Sequence, residues 1–64
     1  MKNRIRSLRQ TRSLSQQELA ALCQVTRQTI NAIENEKYDP TLALAFRLAR
    51  ELGVTVDELF DYAE

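Results

Sequence analysis

Two short amphipathic segments, set so close that only a tight turn fits between them, constrain this chain more than anything else in it. From Gln16 to Asn35 it reads QQELAALCQVTRQTINAIEN. Ser15-x-x-Glu18 has the form of a capping box, and Leu14 is placed to staple onto Leu19, so a helix is expected to open at Gln16. Leu19, Ala20 and Cys23 then fall on one face, with Ala20 small enough for another helix to come close. After a break at Gln24 the same grammar repeats. Thr26 is the expected N-cap and Val25 can pack on Ile30. Ile30 and Ile33 point inward, whereas Arg27, Gln28 and Asn31, with Ala32 at the edge, point outward.

The remaining sequence supplies helices to pack on this pair. A first helix is expected from about Asn3 to Arg12, with Ile5 and Leu8 buried and Arg9 beside that stripe. Residues 35–40 read as a loop, because Pro40 disfavours helical geometry at Asp39. Leu42, Ala45, Leu48, Ala49 and Leu52 recur with helical period, which predicts a fourth helix from about Thr41 to Leu52. Gly53 ends it as a left-handed cap, with Val54 set to close a Schellman motif. Thr55-x-x-Glu58 is a second capping box and opens a short fifth helix to about Asp61.

A chain of 64 residues allows one domain, here spanning 1–64, and a thin core. With one cysteine and no histidine, no internal disulfide, metal site or Cys–His nucleophile is expected, and Cys23 reads as a small core residue. No glycine-rich phosphate loop and no evident pair of catalytic carboxylates occur, so neither an enzyme nor a cofactor is expected. No apolar run approaches the roughly 20 residues of a membrane span, and no signal-peptide core is present. A cytoplasmic protein without membrane contact is therefore expected. No small-molecule effector domain is expected.

Net charge is zero, but it is segregated. Residues 1–31 hold six cations (Lys2, Arg4, Arg6, Arg9, Arg12, Arg27) against Glu18 alone, while residues 32–64 hold three against eight acidic groups. Such polarity suits one face turned toward phosphate. An outward row of Arg27, Gln28 and Asn31 on the first turns of a helix has the chemistry for base edges: Arg to guanine O6 and N7, Gln and Asn to adenine N6 and N7. The bland alternative is a solvated helix face. Arg4, Arg6 and Arg12 are assigned to such a face, and Tyr38 to packing.

Taken together, SQQELAALCQVTRQTINAIENEKYDP and the following TLALAFRLARELGVTVDELF resemble the Cro/repressor-type helix-turn-helix family, or XRE family, in its short stand-alone form. The motif rests on Gln16, Glu18-Leu19-Ala20, Val25-Thr26-Arg27, Ile30, Ile33-Glu34-Asn35 and Pro40. This resemblance implies an all-α, five-helix, lambda-repressor-like DNA-binding domain. It implies a homodimer on a two-fold symmetric double-stranded operator, acting as a transcriptional repressor. Gln16 would contact phosphate, Arg27, Gln28 and Asn31 would face bases, and Asn35 and Lys37 would touch the DNA backbone. Arg9 and Glu34 match a buried ion pair of the family. Leu44, Phe46, Phe60 and Tyr62 are candidate dimer-interface residues. The sequence departs from the family where Ser13, Gln24 and Glu36 stand in place of glycine: either those turns differ slightly here, or each residue takes left-handed geometry at a cost of roughly 1–2 kcal/mol and stability is lower. A second function class stays open: the acidic C-terminal half could serve an antitoxin- or adaptor-type protein-interaction module.

Overall fold

Polar side chains start four of the five helices. In the computed structural model, which describes residues 1–61, the helices are α1 (Ile5–Thr11), α2 (Gln16–Cys23), α3 (Arg27–Glu34), α4 (Leu42–Leu52) and α5 (Val56–Leu59). Ser15 Oγ accepts from Glu18 N at 3.0 Å, while the Glu18 carboxylate accepts from Ser15 N at 2.8 Å, closing the first capping box. Thr55 and Glu58 close the second in the same way. Thr26 and Thr41 cap α3 and α4 through their hydroxyls, each 3.2 Å from the N–H it accepts. These bonds satisfy backbone donors that a helix start leaves without partners.

The first four helices also end alike. Ser13, Gln24, Glu36 and Gly53 follow α1 to α4, with φ of 56°, 59°, 61° and 73°. Each is followed by the longer Schellman bond: Leu14 N to Arg9 O, Val25 N to Ala20 O, Lys37 N to Ala32 O and Val54 N to Ala49 O, all at 2.9–3.0 Å. Only the fourth has the residue that adopts this conformation without a Cβ clash. The turns thus keep their geometry, and three side chains bear the strain.

One core unites the five helices. Ile5, Leu19, Ile30, Leu48, Leu52 and Leu59 are wholly buried, with Cys23 at their edge, as the helical spacing of the sequence requires. Leu8, Leu14, Val25, Val54 and Val56 close it from outside, which places the expected hydrophobic staples against the core.

Two expected boundaries shift. The first helix begins at Ile5 rather than Asn3, and the fifth ends at Leu59 rather than Asp61. The displaced residues form an antiparallel ribbon of β1 (Lys2–Asn3) and β2 (Phe60–Asp61), pairing Lys2 with Asp61 and Asn3 with Phe60. Asn3 secures it: its Oδ1 accepts from Ile5 N at 3.2 Å and its Nδ2 donates to Ile33 O at 2.9 Å. Arg12 also departs from the solvated face assigned to it. Its Nε donates to Leu52 O at 3.0 Å, so it serves a carbonyl at the end of α4. A Cβ on Gly53 would overlap its guanidinium.

Candidate nucleic-acid interface

The outer side of α3 is built from its N-terminus. Thr26 places the first turn, and Ile30 and Ile33 anchor the inner side in the core. That rotation leaves Arg27, Gln28 and Asn31 exposed. Neither the Arg27 nor the Gln28 side chain makes a hydrogen bond among the described residues. The N-cap side chains of α2 and α3 engage the N–H of Glu18 and Thr29, leaving the N–H groups of Gln16 and Gln17, and of Arg27 and Gln28, directed out of the helix ends. Such ends favour anions through both N–H donors and the helix dipole. Lys37 is exposed just beyond the Glu36 turn.

Behind this surface lies a polar cluster that joins α1, α2 and α3. The Glu34 side chain is wholly excluded from solvent. Arg9 Nε donates to its Oε2 at 2.8 Å and Arg9 Nη2 to its Oε1 at 3.3 Å. Gln16 Nε2 and Arg6 Nε reach Oε1 at 3.0 and 3.3 Å. Arg9 Nη1 also donates to Leu14 O at 2.9 Å, fixing the turn between α1 and α2. Burial alone would push the Glu34 carboxyl upward, but hydrogen bonds from Arg9, Gln16 and Arg6, with the Arg9 charge, outweigh it and hold the group below its ordinary value. Arg6 thus joins this network while its side chain stays exposed, as expected of a solvated face.

The sequence-predicted residues divide into two groups. Arg27, Gln28 and Lys37 project freely. Gln16, Asn31 and Asn35 are bonded to one another or to the cluster. Gln16 Nε2 donates to Asn31 Oδ1 at 3.2 Å as well as to Glu34, and Asn35 Nδ2 donates to Asn31 O at 2.9 Å and Asn31 Oδ1 at 3.1 Å. Asn35 Oδ1 accepts from Arg6 Nη2 at 3.2 Å. Arg6 is the member that sequence reasoning missed. It stands 28 positions from Glu34, so no local spacing links the two, and only the fold brings them together.

A separate apolar surface lies on α4. Leu42 is 71% exposed and Phe46 57% exposed, beside an open groove that Pro40, Ala49, Val56 and Phe60 help to line. Of the candidate dimer residues, Phe46 is on this surface, Leu44 is half-buried against the core, Phe60 is buried, and Tyr62 lies outside the described residues. Leu42 is the more exposed neighbour, although its place in the helical period of α4 assigns it to the buried side. It stands at the first position of the helix, beyond the reach of the core.

Two eight-residue helices, held across each other by a tight turn at Gln24–Thr26 with the outer side of the second one exposed, make this a helix-turn-helix protein of the DNA-binding class. A helix-turn-helix family profile, HTH_3, matches residues 5–59, and the chain belongs to that family. It is 45% identical over 64 residues to an uncharacterized HTH-type transcriptional regulator of Methanocaldococcus jannaschii, covering 100% of this chain and 97% of that one. It is 51% identical over 53 residues to another such regulator, from Methanothermobacter thermautotrophicus, covering 83% of this chain and 77% of the relative. Among solved structures it is similar to the restriction-modification controller protein C.AhdI of Aeromonas hydrophila, with a TM-score of 0.82 and 33% identity, covering 89% of this chain and 86% of that one. Both relatives are described as HTH-type transcriptional regulators, and membership of the helix-turn-helix family makes this chain a DNA-binding regulator. No helix among the described residues is long and apolar enough to cross a membrane.

Proposed function

We propose that this chain, as a single domain over residues 1–64, is a sequence-specific transcriptional repressor that binds double-stranded DNA as a homodimer. Its α3 lies in the major groove of each half-site, and the operator is two-fold symmetric. The observation that carries this reading is the exposed first turn of α3, where Arg27 and Gln28 extend, without a hydrogen-bond partner among the described residues, beside the N-termini of two helices. Arg27 suits guanine O6 and N7, and Gln28 suits adenine N6 and N7. Phosphate oxygens suit the N–H groups at Gln16 and Arg27, with Lys37 farther along the same track. Asn31 and Asn35 sit at the border of this surface.

The dimer reading draws on the α4 surface. Leu42 and Phe46 leave apolar area in water that a second copy would cover, with Phe60 lining the groove beside it; Leu44 falls on another side of α4, against the core. Two half-sites would then lie about 34–36 Å apart. The protein carries out this role without catalysis, and its place is the cytoplasm.

Selection of bound duplexes from a random pool tests the proposal, because it reports both half-site sequence and spacing. Arg27→Ala and Gln28→Ala are expected to weaken binding to the selected operator and relax base preference at separate positions. If both variants bind that operator like the parent, α3 is not the reading helix. If the chain retains no duplex but captures one stoichiometric protein, the antitoxin or adaptor reading replaces it.

A further inference from the structure

The cluster behind α3 fixes more than position; it fixes which end of each side-chain amide faces out. Two of its groups have a hydrogen-bonding sense that is not free: a carboxylate only accepts and a guanidinium only donates. Gln16 bonds Glu34 Oε1 at 3.0 Å, so the Gln16 atom there is its nitrogen. That same nitrogen lies 3.2 Å from the Asn31 side chain, so the Asn31 atom facing it is its oxygen. From the other side, Arg6 Nη2 lies 3.2 Å from the Asn35 side chain, which must present its oxygen there. The Asn35 nitrogen consequently turns to α3, where it meets the backbone carbonyl of Asn31 at 2.9 Å and Asn31 Oδ1 at 3.1 Å. Both routes, one from Glu34 and one from Arg6, arrive at the same orientation for Asn31.

Asn31 Oδ1 therefore accepts two hydrogen bonds, which fills its two lone pairs. Its Nδ2 makes no hydrogen bond among the described residues, and Asn31 is exposed. An asparagine reads adenine by donating to N7 and accepting from N6 at once. With its oxygen occupied, this one has only the donating half. We infer that Asn31 is a one-sided hydrogen-bond donor on the DNA-facing surface, aimed at an acceptor such as guanine O6 or N7, thymine O4 or a phosphate oxygen, and unable to specify adenine over guanine. Gln16 is the positioning residue that imposes this, and its own outward atom is a carbonyl oxygen, which cannot donate to phosphate. Any phosphate contact at Gln16 falls to its backbone N–H.

The role given to Asn31 rests on the DNA-reading role proposed for α3, but its amide orientation is a property of the free protein, so the two fail separately. In the free protein, NMR hydrogen exchange of side-chain amides is expected to show Gln16 Nε2 and Asn35 Nδ2 protons slowed relative to those of Asn31. Faster or equal exchange at Gln16 compared with Asn31 would overturn the polarity whether or not any DNA binds. Pool selection supplies the second test. Asn31→Ala is expected either to relax preference at a guanine or thymine position, which marks a base contact, or to weaken all sequences alike, which marks a phosphate. Gln16→Ala frees one lone pair on Asn31 and is expected to raise acceptance of adenine at the Asn31-dependent position. If the parent instead prefers adenine over guanine there by about tenfold, as a two-bond pair gives, and Asn31→Ala abolishes that preference, the one-sided reading is wrong while the DNA-binding role stands.

Discussion

Replacing Ser13, Gln24 and Glu36 with glycine, singly and together, is expected to stabilise the protein. All three have φ near 60°, in the left-handed region, and all three close Schellman motifs whose bonds come from the backbone. None of their side chains makes a hydrogen bond among the described residues, and each is exposed, so truncation removes little favourable contact. A side chain with a Cβ costs about 1–2 kcal/mol in this conformation. Glycine restores some freedom to the unfolded chain, which offsets roughly 0.4–1 kcal/mol of that gain. A net of about 0.5–1 kcal/mol per site follows. The sites lie at the ends of different helices and share no hydrogen-bond partner, so the triple variant should gain about 2 kcal/mol. For a domain of this size, that raises Tm by roughly 8–16 °C. Thermal and urea unfolding followed by circular dichroism, at one fixed protein concentration, measure the effect. Alanine at the same three positions keeps the Cβ and should give no such gain. Equal behaviour of the alanine and glycine series would show that backbone strain is not the cause.

Glu34→Gln should cost about 1–3 kcal/mol, because it removes the charge that Arg9 pairs with in a partly buried cluster but keeps one acceptor oxygen. The Glu34 carboxyl is held below its ordinary value when folded, so its contribution is complete above the unfolded pKa and is lost as pH falls through the folded one. Urea unfolding of the parent at descending pH should record that loss, and its acid slope should be shallower in the variant. Cys23 is buried, and burial first, then Glu51, pushes its thiol upward, so labelling by a thiol reagent should require unfolding and accelerate with urea. Labelling as fast as that of a free peptide would contradict the packing described. Thr26→Ala should destabilise by about 1 kcal/mol through loss of the α3 cap, with a measurable fall in urea midpoint. If the proposed dimer forms through α4, the parent should sediment as a dimer and Phe46→Ser as a monomer at the same concentration; a monomeric parent would refute the dimer, and a dimeric variant would refute the α4 interface.

Legibility in the sequence follows range. The capping boxes at Ser15 and Thr55 and the Gly53 cap involve residues a few positions apart, and local chemistry predicts them. The helical faces follow from spacing alone, which is why Leu19, Cys23, Ile30 and Leu48 could be placed in the core. The ribbon of β1 and β2 could not be read, since strands of two residues carry no period and their pairing joins opposite ends of the chain. Arg12 on Leu52 O and Arg6 beside Glu34 were hidden for the same reason: the partner is set by the fold, and an exposed arginine looks alike wherever it points. Asn31 is legible as outward, but which of its two amide atoms is available depends on four other side chains.

The ribbon also bears on how the chain can be rewired. Lys2 and Asp61 are cross-strand neighbours, so the backbone nearly returns to its starting point. Joining those ends through a short flexible bridge and cutting instead in the exposed stretch between Glu36 and Asp39 would give a circular permutant with every helix intact. In that permutant α4 and α5 would precede α1, and the exposed side of α3 would lie close to the new carboxyl end.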